Sequence, residues 1–448
     1  MVDIQDVPRD QALLWLHVAV DAEAMRQRLQ PHFGDGVQLV QVKVGRFTYK
    51  PGRNARFAYR IKLLDRKRGV AAKHVVHGRM EPPEESAHTY RKMQRQAWAQ
   101  PEYGPALVHF EDLGIVLWGF PNDPKLPGID QVAQPAAMLE SARHIPALAA
   151  LEPTACESSI VKYVPGKRLV MKHRLTRGDG KRLLLYTKTY AHARGASIHA
   201  VMRALWERAA GDPEALTCPE PLAWLPEANT LVLRALPGTA AIGALDPATI
   251  EHDMAQAGRG LARLHTSGVT GLEPWSSADE LQNLEKAAGS LERYDPDLGP
   301  VLSRVLSGAR AELGALTTGP AVPIHGAFRF TQLLTYRDRL ALVDFDGFKQ
   351  GHPMCDVGSF AAHLWYLHAK HELDADTAQA AVRAFTAGYR SVAPWGTPEP
   401  ALRGYTAVQL VAKHVQKCVK RLKDDGDSKI QQMLQLAERL LDGDLPVA

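Results

Sequence analysis

The sequence has 448 residues, of which 45% are hydrophobic and 23% are charged, and its formal net charge is +5. Single domains usually contain roughly 100–200 residues, so a chain of this length predicts two or three domains. It contains no run of about 18 consecutive apolar residues, which excludes a protein built on membrane-spanning helices.

The first residues and the cysteines predict where the protein resides. The N-terminal segment carries acidic residues early and has no basic region followed by a short apolar stretch, so we expect no secretory signal. The four cysteines occur singly and without CxxC spacing, which argues against a disulfide framework and against a zinc site. Both features predict a cytoplasmic protein.

Positive charge is concentrated near the N-terminus. Residues 41–100 contain 15 Lys and Arg against 4 Asp and Glu, a local net charge of +11. Arg56, Arg60 and Lys62 alternate with Phe57 and Tyr59, so a strand would place the cations on one face and the aromatic residues on the other. This basic face is either a solvated strand surface or the contact surface for an anionic partner, with nucleic acid not expected as that partner.

Two segments share the same β-strand pattern. The segments 37–63 and 159–190 both alternate apolar and polar residues. The motif Tyr-x-Pro-Gly begins at Tyr49 and again at Tyr163, and Ile115–Pro121 aligns with Leu231–Pro237 at nearly the same offset. This predicts an internal repeat of about 115 residues, the alternative being two unrelated hairpins with common Pro-Gly turns.

The pattern changes to helical periodicity from about residue 245. Helices are predicted at 249–266, 278–292, 297–316, 357–371, 375–391, 401–424 and 427–441, with a short β segment at 322–346. We therefore predict three domains: an N-terminal α+β domain at 1–150, which is the candidate duplicate of the next, a β-rich domain at 151–240 and a helical domain at 241–448.

The segment 322–358 carries the most informative chemistry. It contains His325-Gly326, two short strands, and the acid pair Asp344 and Asp346 at the end of an apolar strand. Carboxylates in such a position are suited to hold a divalent cation beside a polyphosphate.

These residues resemble the aminoglycoside-phosphotransferase and choline-kinase branch of the protein-kinase fold. Residues 325–332 are similar to its catalytic-loop pattern HGDxHxxN, Asp344 lies in its metal motif, and Asp356 matches its downstream acid. Residues 231–238 resemble its hinge strand, and 261–265 resemble the helix before the catalytic loop. The resemblance implies an α+β, bilobal, protein-kinase-like fold with a β-rich small lobe and a helical large lobe.

The resemblance also implies a site for ATP and Mg²⁺. Lys188 matches the strand lysine that pairs with the α- and β-phosphates, and Glu207 matches its ion-pair partner. Gly166 matches the turn that covers the phosphates, and Leu233 lies in the hinge strand. The metal positions fall on Gln332 and Asp344. The alternative is that Lys188 and Glu207 are solvated surface residues.

One departure from the family pattern is decisive for the chemistry. Ala327 occupies the place of the loop aspartate, and alanine cannot accept a proton from a substrate hydroxyl. Arg329 replaces the second histidine of the pattern and brings a fixed cation into the loop. The remaining catalytic candidates are His325, Arg329 and Asp346, although His325 is more often a residue that holds the loop.

Three functions are consistent with these residues. The first is an ATP-dependent phosphotransferase that acts on a hydroxyl of a neutral or anionic small molecule, because positioning and charge neutralisation supply most of the acceleration. The second is a catalytically inactive pseudokinase that acts as a binding or regulatory module. The third is transfer of AMP to a protein hydroxyl.

Overall fold

The computed structural model describes residues 7–126, 128–192, 194–212, 215–240, 245–314, 316, 319–337, 339–421 and 426–445. The chain forms two compact units. The first comprises Met1–Ala196, Leu222–Arg234 and Val419–Asp424, and the second comprises Ser197–Pro221, Ala235–Cys418 and Asp425–Ala448. No helix in the described ranges combines the length and the apolar character needed to cross a membrane. The three domain boundaries drawn from the sequence stay a prediction.

The first unit contains two five-stranded sheets. The strands of the first sheet are β1 (Val37–Lys50), β2 (Asn54–Asp65), β3 (Val70–Met80), β4 (Leu107–Phe110) and β5 (Ile115–Gly119). Those of the second are β6 (Ala155–Val164), β7 (Arg168–Thr176), β8 (Arg182–Tyr190), β9 (Pro221–Leu225) and β10 (Thr230–Arg234). Their strand orders are β1-β2-β3-β5-β4 and β6-β7-β8-β10-β9. The two orders are identical, which supports the internal repeat predicted from the sequence.

Short helices accompany both sheets. They are α1 (Leu16–Val20), α2 (Ala22–Leu29), α3 (Pro83–Gln94), α4 (Asp130–Ala133), α5 (Pro135–Arg143) and α6 (Pro146–Ala149). Helices α4 to α6 supply Val132, Met138 and Leu148 to a core that also contains Leu175 and Val232 of the second sheet. This burial of apolar side chains stabilises the second sheet on one face.

Both Tyr-x-Pro-Gly motifs take part in the same hydrogen-bonded clamp. In each, a tyrosine hydroxyl and a glycine N–H at the Pro-Gly turn donate to one oxygen of an upstream aspartate. The two clamps are Asp10 with Tyr49 and Gly52, and Asp123 with Tyr163 and Gly166. The donor–acceptor distances are 2.6 and 2.8 Å in the first clamp and 2.5 and 2.7 Å in the second. The shared motif therefore has a shared structural role, which two unrelated hairpins would not predict.

The strand pairing also relates one charged position of the second sheet to the first. Lys188 on β8 lies opposite Val170 and Leu231, and Arg79 on β3 lies opposite Arg56 and Val116. The Arg79 guanidinium forms an ion pair with the buried carboxylate of Glu81, the residue that follows the strand. Through the pairing with β2 and β7, Arg79 corresponds to Lys188, whereas through β5 and β10, with Ile115 aligned to Leu231, Met80 corresponds to it.

Strand β7 shows the predicted alternation except at Val170, which is also buried. Leu169, Met171 and Leu175 are buried, and so is His173, whose ring nitrogens lie 2.9 Å from the hydroxyl oxygens of Ser158 and Thr187. Burial lowers the pKa of His173 from its ordinary 6.5 to about 4.

Acid should therefore destabilise the protein through His173. In the unfolded chain the His173 ring is protonated below about pH 6.5, but in the folded chain it is protonated only below about pH 4. The free energy of unfolding therefore decreases as the pH falls from about 6.5 to about 4. We expect the loss in unfolding free energy from pH 7 to pH 5 to be about 2 kcal/mol smaller in His173→Gln than in the parent. Urea unfolding at both pH values measures this, and His88→Gln, at an exposed position, is the control. An equal loss in the parent and in His173→Gln would contradict the prediction.

The second unit is mostly helical. Its helices are α8 (Ile250–His265), α9 (Ser277–Tyr294), α10 (Gly299–Gly314), α11 (Met354–Ala369), α12 (Ala375–Arg390), α13 (Glu399–Gln409) and α15 (Gly426–Leu441). Helices α7 (Arg194–Gly211) and α14 (Gln416–Arg421) each have residues in both units. The sequence predicted one helix at 401–424. In the structure a π-helical segment at Leu410–Val415 separates α13 from α14 in this region.

The core of the second unit lies around α8, α11 and α12. Almost every residue of α11 is buried, and Phe360 stacks on Phe385 at a centroid distance of 3.9 Å. A Cβ atom at Gly258 would lie 2.1 Å from the Phe385 carbonyl oxygen, so only glycine permits this approach of α8 to α12.

Two three-stranded sheets complete the second unit. Their strands are β11 (Thr239–Ala240), β14 (Leu333–Tyr336) and β15 (Arg339–Leu342) in one, and β12 (Pro274–Trp275), β16 (Lys349–Gly351) and β13 (Val322–Ile324) in the other. The β segment predicted at 322–346 is thus divided between the two sheets. The α+β fold class predicted from the sequence is confirmed.

Candidate active site

The loop that follows β13 contacts the turn that follows β15. Gly326 has a positive φ of 75°, and a Cβ atom there would lie 2.3 Å from the carbonyl oxygen of Gly347. Both the φ angle and the close approach require glycine. The predicted catalytic loop and the predicted metal turn are therefore in direct backbone contact.

Asp356, in the first turn of α11, holds the catalytic loop in place. Its carboxylate accepts the backbone N–H of His325 at 2.5 Å and the backbone N–H of Gly326 at 2.8 Å. The side chain is completely buried. The downstream acid identified in the sequence thus acts on the loop backbone.

A chain of buried polar groups extends from Asp356. Nε2 of His265 lies 3.3 Å from the Asp356 carboxylate, and Nδ1 of His265 lies 2.8 Å from the hydroxyl of Tyr389. The indole N–H of Trp395 donates to the same hydroxyl at 2.8 Å. Burial raises the pKa of Asp356, but the hydrogen bonds from the His265 ring and from the backbone N–H of His325 act against burial, and the pKa lies below its ordinary value. The carboxylate is therefore ionised and accepts every bond.

His325 lies inside the protein, with its ring between the loop and the metal turn. Its Nε2 is 3.2 Å from the carbonyl oxygen of Val343, and its ring contacts Phe328 and Phe345 edge-on. Burial lowers the pKa of His325, so the ring is neutral at pH 7 and donates through Nε2. These contacts fit a positioning role, and a catalytic role for His325 stays a prediction.

The two predicted metal ligands lie on adjoining segments. The backbone N–H of Val343 donates to the Gln332 carbonyl at 3.0 Å, which connects the strand before Asp344 to Gln332. Gln332 is buried, and its side-chain Oε1 has no hydrogen-bond partner among the residues that the structure describes. Asp344 has a φ of 73°, a left-handed conformation that aspartate adopts more readily than most residues. The buried Oε1 of Gln332 is the type of oxygen ligand that a hard cation such as Mg²⁺ binds.

No cluster of three or more histidine, cysteine, aspartate or glutamate side chains forms a metal site within the described ranges. In general, one or two protein oxygens hold Mg²⁺ together with phosphates and water. Asp346 lies two residues after Asp344 and is half-buried on the turn Phe345–Gly347.

Lys413 is a residue of this site that the sequence reasoning missed. Its Nζ donates to the carbonyl oxygen of Gly326 at 2.6 Å. It belongs to the π-helical segment, and π-helical turns are frequent at functional sites. The only sequence signal was a cation within an apolar helix, which does not reveal a contact with a loop 87 residues away.

Cations surround the side of the loop that carries Arg329. Burial, followed by the charges of Arg329, Lys417 and Lys370, lowers the pKa of His363 to about 3. Burial, followed by His363 and the charges of Arg329, Lys417 and Lys413, lowers the pKa of His414, which stacks on His363. Both histidines are neutral at pH 7, so the positive field comes from the lysines and arginines.

The predicted nucleotide residues of the first unit lie on one sheet. Lys188 is half-buried on β8, and the buried Leu233 lies on the adjacent strand β10, opposite Tyr186. Gly166 occupies the β6–β7 turn with a φ of 65°, and its N–H is fixed by the Asp123 carboxylate.

The Gly166 turn is electropositive. A Cβ atom at Gly166 would lie 3.6 Å from the Arg56 guanidinium. Burial, then Lys167 and Arg56, lowers the pKa of Lys50, and burial, then Lys167 and Lys50, lowers the pKa of Lys420 to about 8. Mutually repelling cations at a glycine turn suit phosphate oxygens.

Glu207 belongs to the second unit and has a partner on its own helix. Its exposed carboxylate lies 3.1 Å from the Arg203 guanidinium, one turn earlier on α7. The predicted pairing of Lys188 with Glu207 stays a prediction.

The sequence itself identifies the family. A sequence profile of the phosphotransferase enzyme family, APH, matches residues 165–395, which is more than half of the 448 residues. The chain belongs to this family. The resemblance found at the catalytic loop is confirmed, and with it the kinase-like α+β fold. Membership of the APH family supports a phosphotransferase that acts on small molecules. The first copy of the repeat lies outside the matched residues.

Solved structures with similar folds include three small-molecule kinases. The choline kinase from Cryptosporidium parvum Iowa II is 11% identical with a TM-score of 0.49, and the alignment covers 69% of this chain and 97% of that one. A glucosamine kinase is 19% identical with a TM-score of 0.46, covering 69% and 88%. A choline/ethanolamine kinase family protein from Mesorhizobium loti is 16% identical with a TM-score of 0.43, covering 68% and 94%. No curated protein sequence matches the chain.

Proposed function

We propose that this APH-family protein transfers the γ-phosphoryl group of ATP to a hydroxyl of a neutral or anionic small molecule, with Mg²⁺ held by Gln332 and Asp344. The observation that carries the proposal is the buried Oε1 of Gln332, which has no hydrogen-bond partner in the described part of the chain and adjoins the segment that bears Asp344. A bound Mg²⁺ would neutralise phosphate charge. Lys188, Gly166 and Leu233 would bind the nucleotide, with Glu207 as the partner of Lys188.

The absence of a loop base is compatible with transfer. Phosphoryl transfer has a largely dissociative transition state, so positioning and electrostatic stabilisation dominate, and a general base contributes about 10²- to 10⁴-fold. Asp356 holds the loop backbone at His325 and Gly326, and Arg329 would stabilise charge there. The cations around Arg329 would repel a polycationic acceptor, which favours a neutral or anionic one.

Ala327 favours a second candidate, a pseudokinase that binds but does not transfer. The two functions are separated by incubating the full chain with Mg-ATP and a panel of sugars, amino alcohols and sugar phosphates, and identifying products by mass spectrometry. Phosphorylated acceptor that is absent with Asp344→Asn supports the proposal, and Asp376→Asn, at an exposed position, is the control. AMP on the protein would instead indicate nucleotidyl transfer, and no product with any acceptor would favour the pseudokinase.

A further inference from the structure

The first unit contains a cavity that none of the proposed phosphotransferase residues line. Its volume is about 710 Å³, and it is lined by side chains of β1, β2 and β3 from the first sheet and of β6 from the second. Ligand pockets usually measure about 300–1,000 Å³, so the cavity is large enough for a small organic molecule.

The charged side chains that line this cavity are all basic. They are Lys43, Arg60, Lys62, Lys73 and Lys162. Among the residues that the structure describes, no aspartate or glutamate lines it. A cavity of one sign concentrates the opposite charge, because its walls focus the field.

Four of these cations are not neutralised by the protein. Over the described ranges, Lys43, Arg60, Lys62 and Lys73 form no ion pair. Some arginines of the first unit do form ion pairs, as Arg68 does with Asp65 and Glu102. The four cations of the cavity wall have no such counter-charge in the described part of the chain, so the wall carries unbalanced positive charge.

The strand register sets these cations against one another. Lys43 on β1 lies directly opposite Arg60 on β2, and Lys62 on β2 lies directly opposite Lys73 on β3. Like charges directly opposite on neighbouring strands destabilise a sheet. A bound anion between the two pairs would turn this repulsion into attraction and would offset its cost.

The remaining lining suits an organic anion. The ring of His77 is completely buried, and neither of its nitrogens has a hydrogen-bond partner among the described residues. His77 contacts the ring of Tyr163 edge-on at a centroid distance of 4.0 Å. Ile160 and Val161 of β6 are exposed at the rim by 38% and 53%. The cavity thus combines a cationic wall with aromatic and apolar surfaces.

We propose that this cavity is a binding site for a soluble, multiply phosphorylated small molecule, whose phosphate oxygens contact Lys43, Arg60, Lys62 and Lys73. None of the residues proposed to bind ATP and Mg²⁺ lines this cavity, and the inference does not depend on the proposed function. In this proposal the basic face predicted from the sequence binds an anionic ligand. The alternative is that this face is only a solvated strand surface.

The test is calorimetric titration of the full chain with inositol hexakisphosphate in buffer that contains EDTA. The double variant Arg60→Gln/Lys73→Gln should bind about 100-fold more weakly, since each charged hydrogen bond contributes roughly tenfold. Lys67→Gln removes one exposed charge from the β2–β3 turn outside the cavity, and Asp344→Asn alters the proposed metal site; both should bind as the parent does.

A second readout separates ligand binding from a structural role. Without ligand, the double variant should melt at the same or a higher temperature than the parent, because like-charge repulsion has been removed. No binding by the parent, equal binding by the double variant, or binding only to vesicles containing phosphatidylinositol bisphosphate would overturn the proposal.

Discussion

Replacing Asp356 with asparagine is expected to lower the free energy of unfolding by about 3–5 kcal/mol. The carboxylate is completely buried and accepts two backbone N–H groups, from His325 and Gly326, while facing Nε2 of His265. An amide of the same shape has one acceptor oxygen, and its NH₂ would face a donor. A buried donor without an acceptor costs about 1–3 kcal/mol, and the lost charge adds to this.

Chemical denaturation of the two proteins measures this difference. The matched control is Asp374→Asn at the N-cap of α12, where the exposed carboxylate accepts the backbone N–H of Thr377 at 2.8 Å. Asparagine caps helices about as well as aspartate, so this variant should lose little stability. Equal losses at the two positions would show that the contacts of Asp356 do not anchor the loop.

Replacing Ala327 with aspartate is expected to raise kcat by about 10²- to 10⁴-fold. The loop backbone is already fixed by Asp356, so a carboxylate at this position can accept the proton of the acceptor hydroxyl without rebuilding the site. The Lys413 amine, bound to the carbonyl of the preceding Gly326, would favour the ionised form of the new carboxylate.

Steady-state measurement of ADP release in the presence of Mg-ATP and acceptor tests this expectation. Ala327→Asn is the matched control, because asparagine has nearly the same size as aspartate but cannot accept a proton at neutral pH. We expect its rate to remain close to that of the parent. A rate for Ala327→Asp no higher than that of Ala327→Asn would contradict a site that lacks only its base.

Local sequence patterns predicted much of the fold. The alternation on β2 and β7 correctly identified buried Phe57, Tyr59, Leu169 and Met171, because a strand with one buried face shows a period of two. The repeat was visible because the Pro-Gly turn needs the same residues in each copy. Helical periodicity predicted the helices of the second half of the chain. It did not predict the π-helical segment, because that segment depends on packing.

The candidate site was only partly predictable. The motif around 325–344 and the downstream Asp356 could be found because their residue types and spacing are informative. The contact of Lys413 with Gly326 and that of Asp123 with Gly166 join residues 87 and 43 positions apart. No local pattern encodes such contacts, because they depend on how the whole unit folds.

The most direct test of the central claim is thermal denaturation of the full chain with and without Mg-ATP, in the parent and in Asp344→Asn. A ligand that binds only the folded state stabilises it by about 2.7 kcal/mol at a concentration 100 times its Kd. We predict a Mg²⁺-dependent rise in Tm for the parent that is lost in Asp344→Asn and retained in Asp376→Asn. No rise in the parent, or the same rise in Asp344→Asn, would contradict a metal-nucleotide site at Gln332 and Asp344.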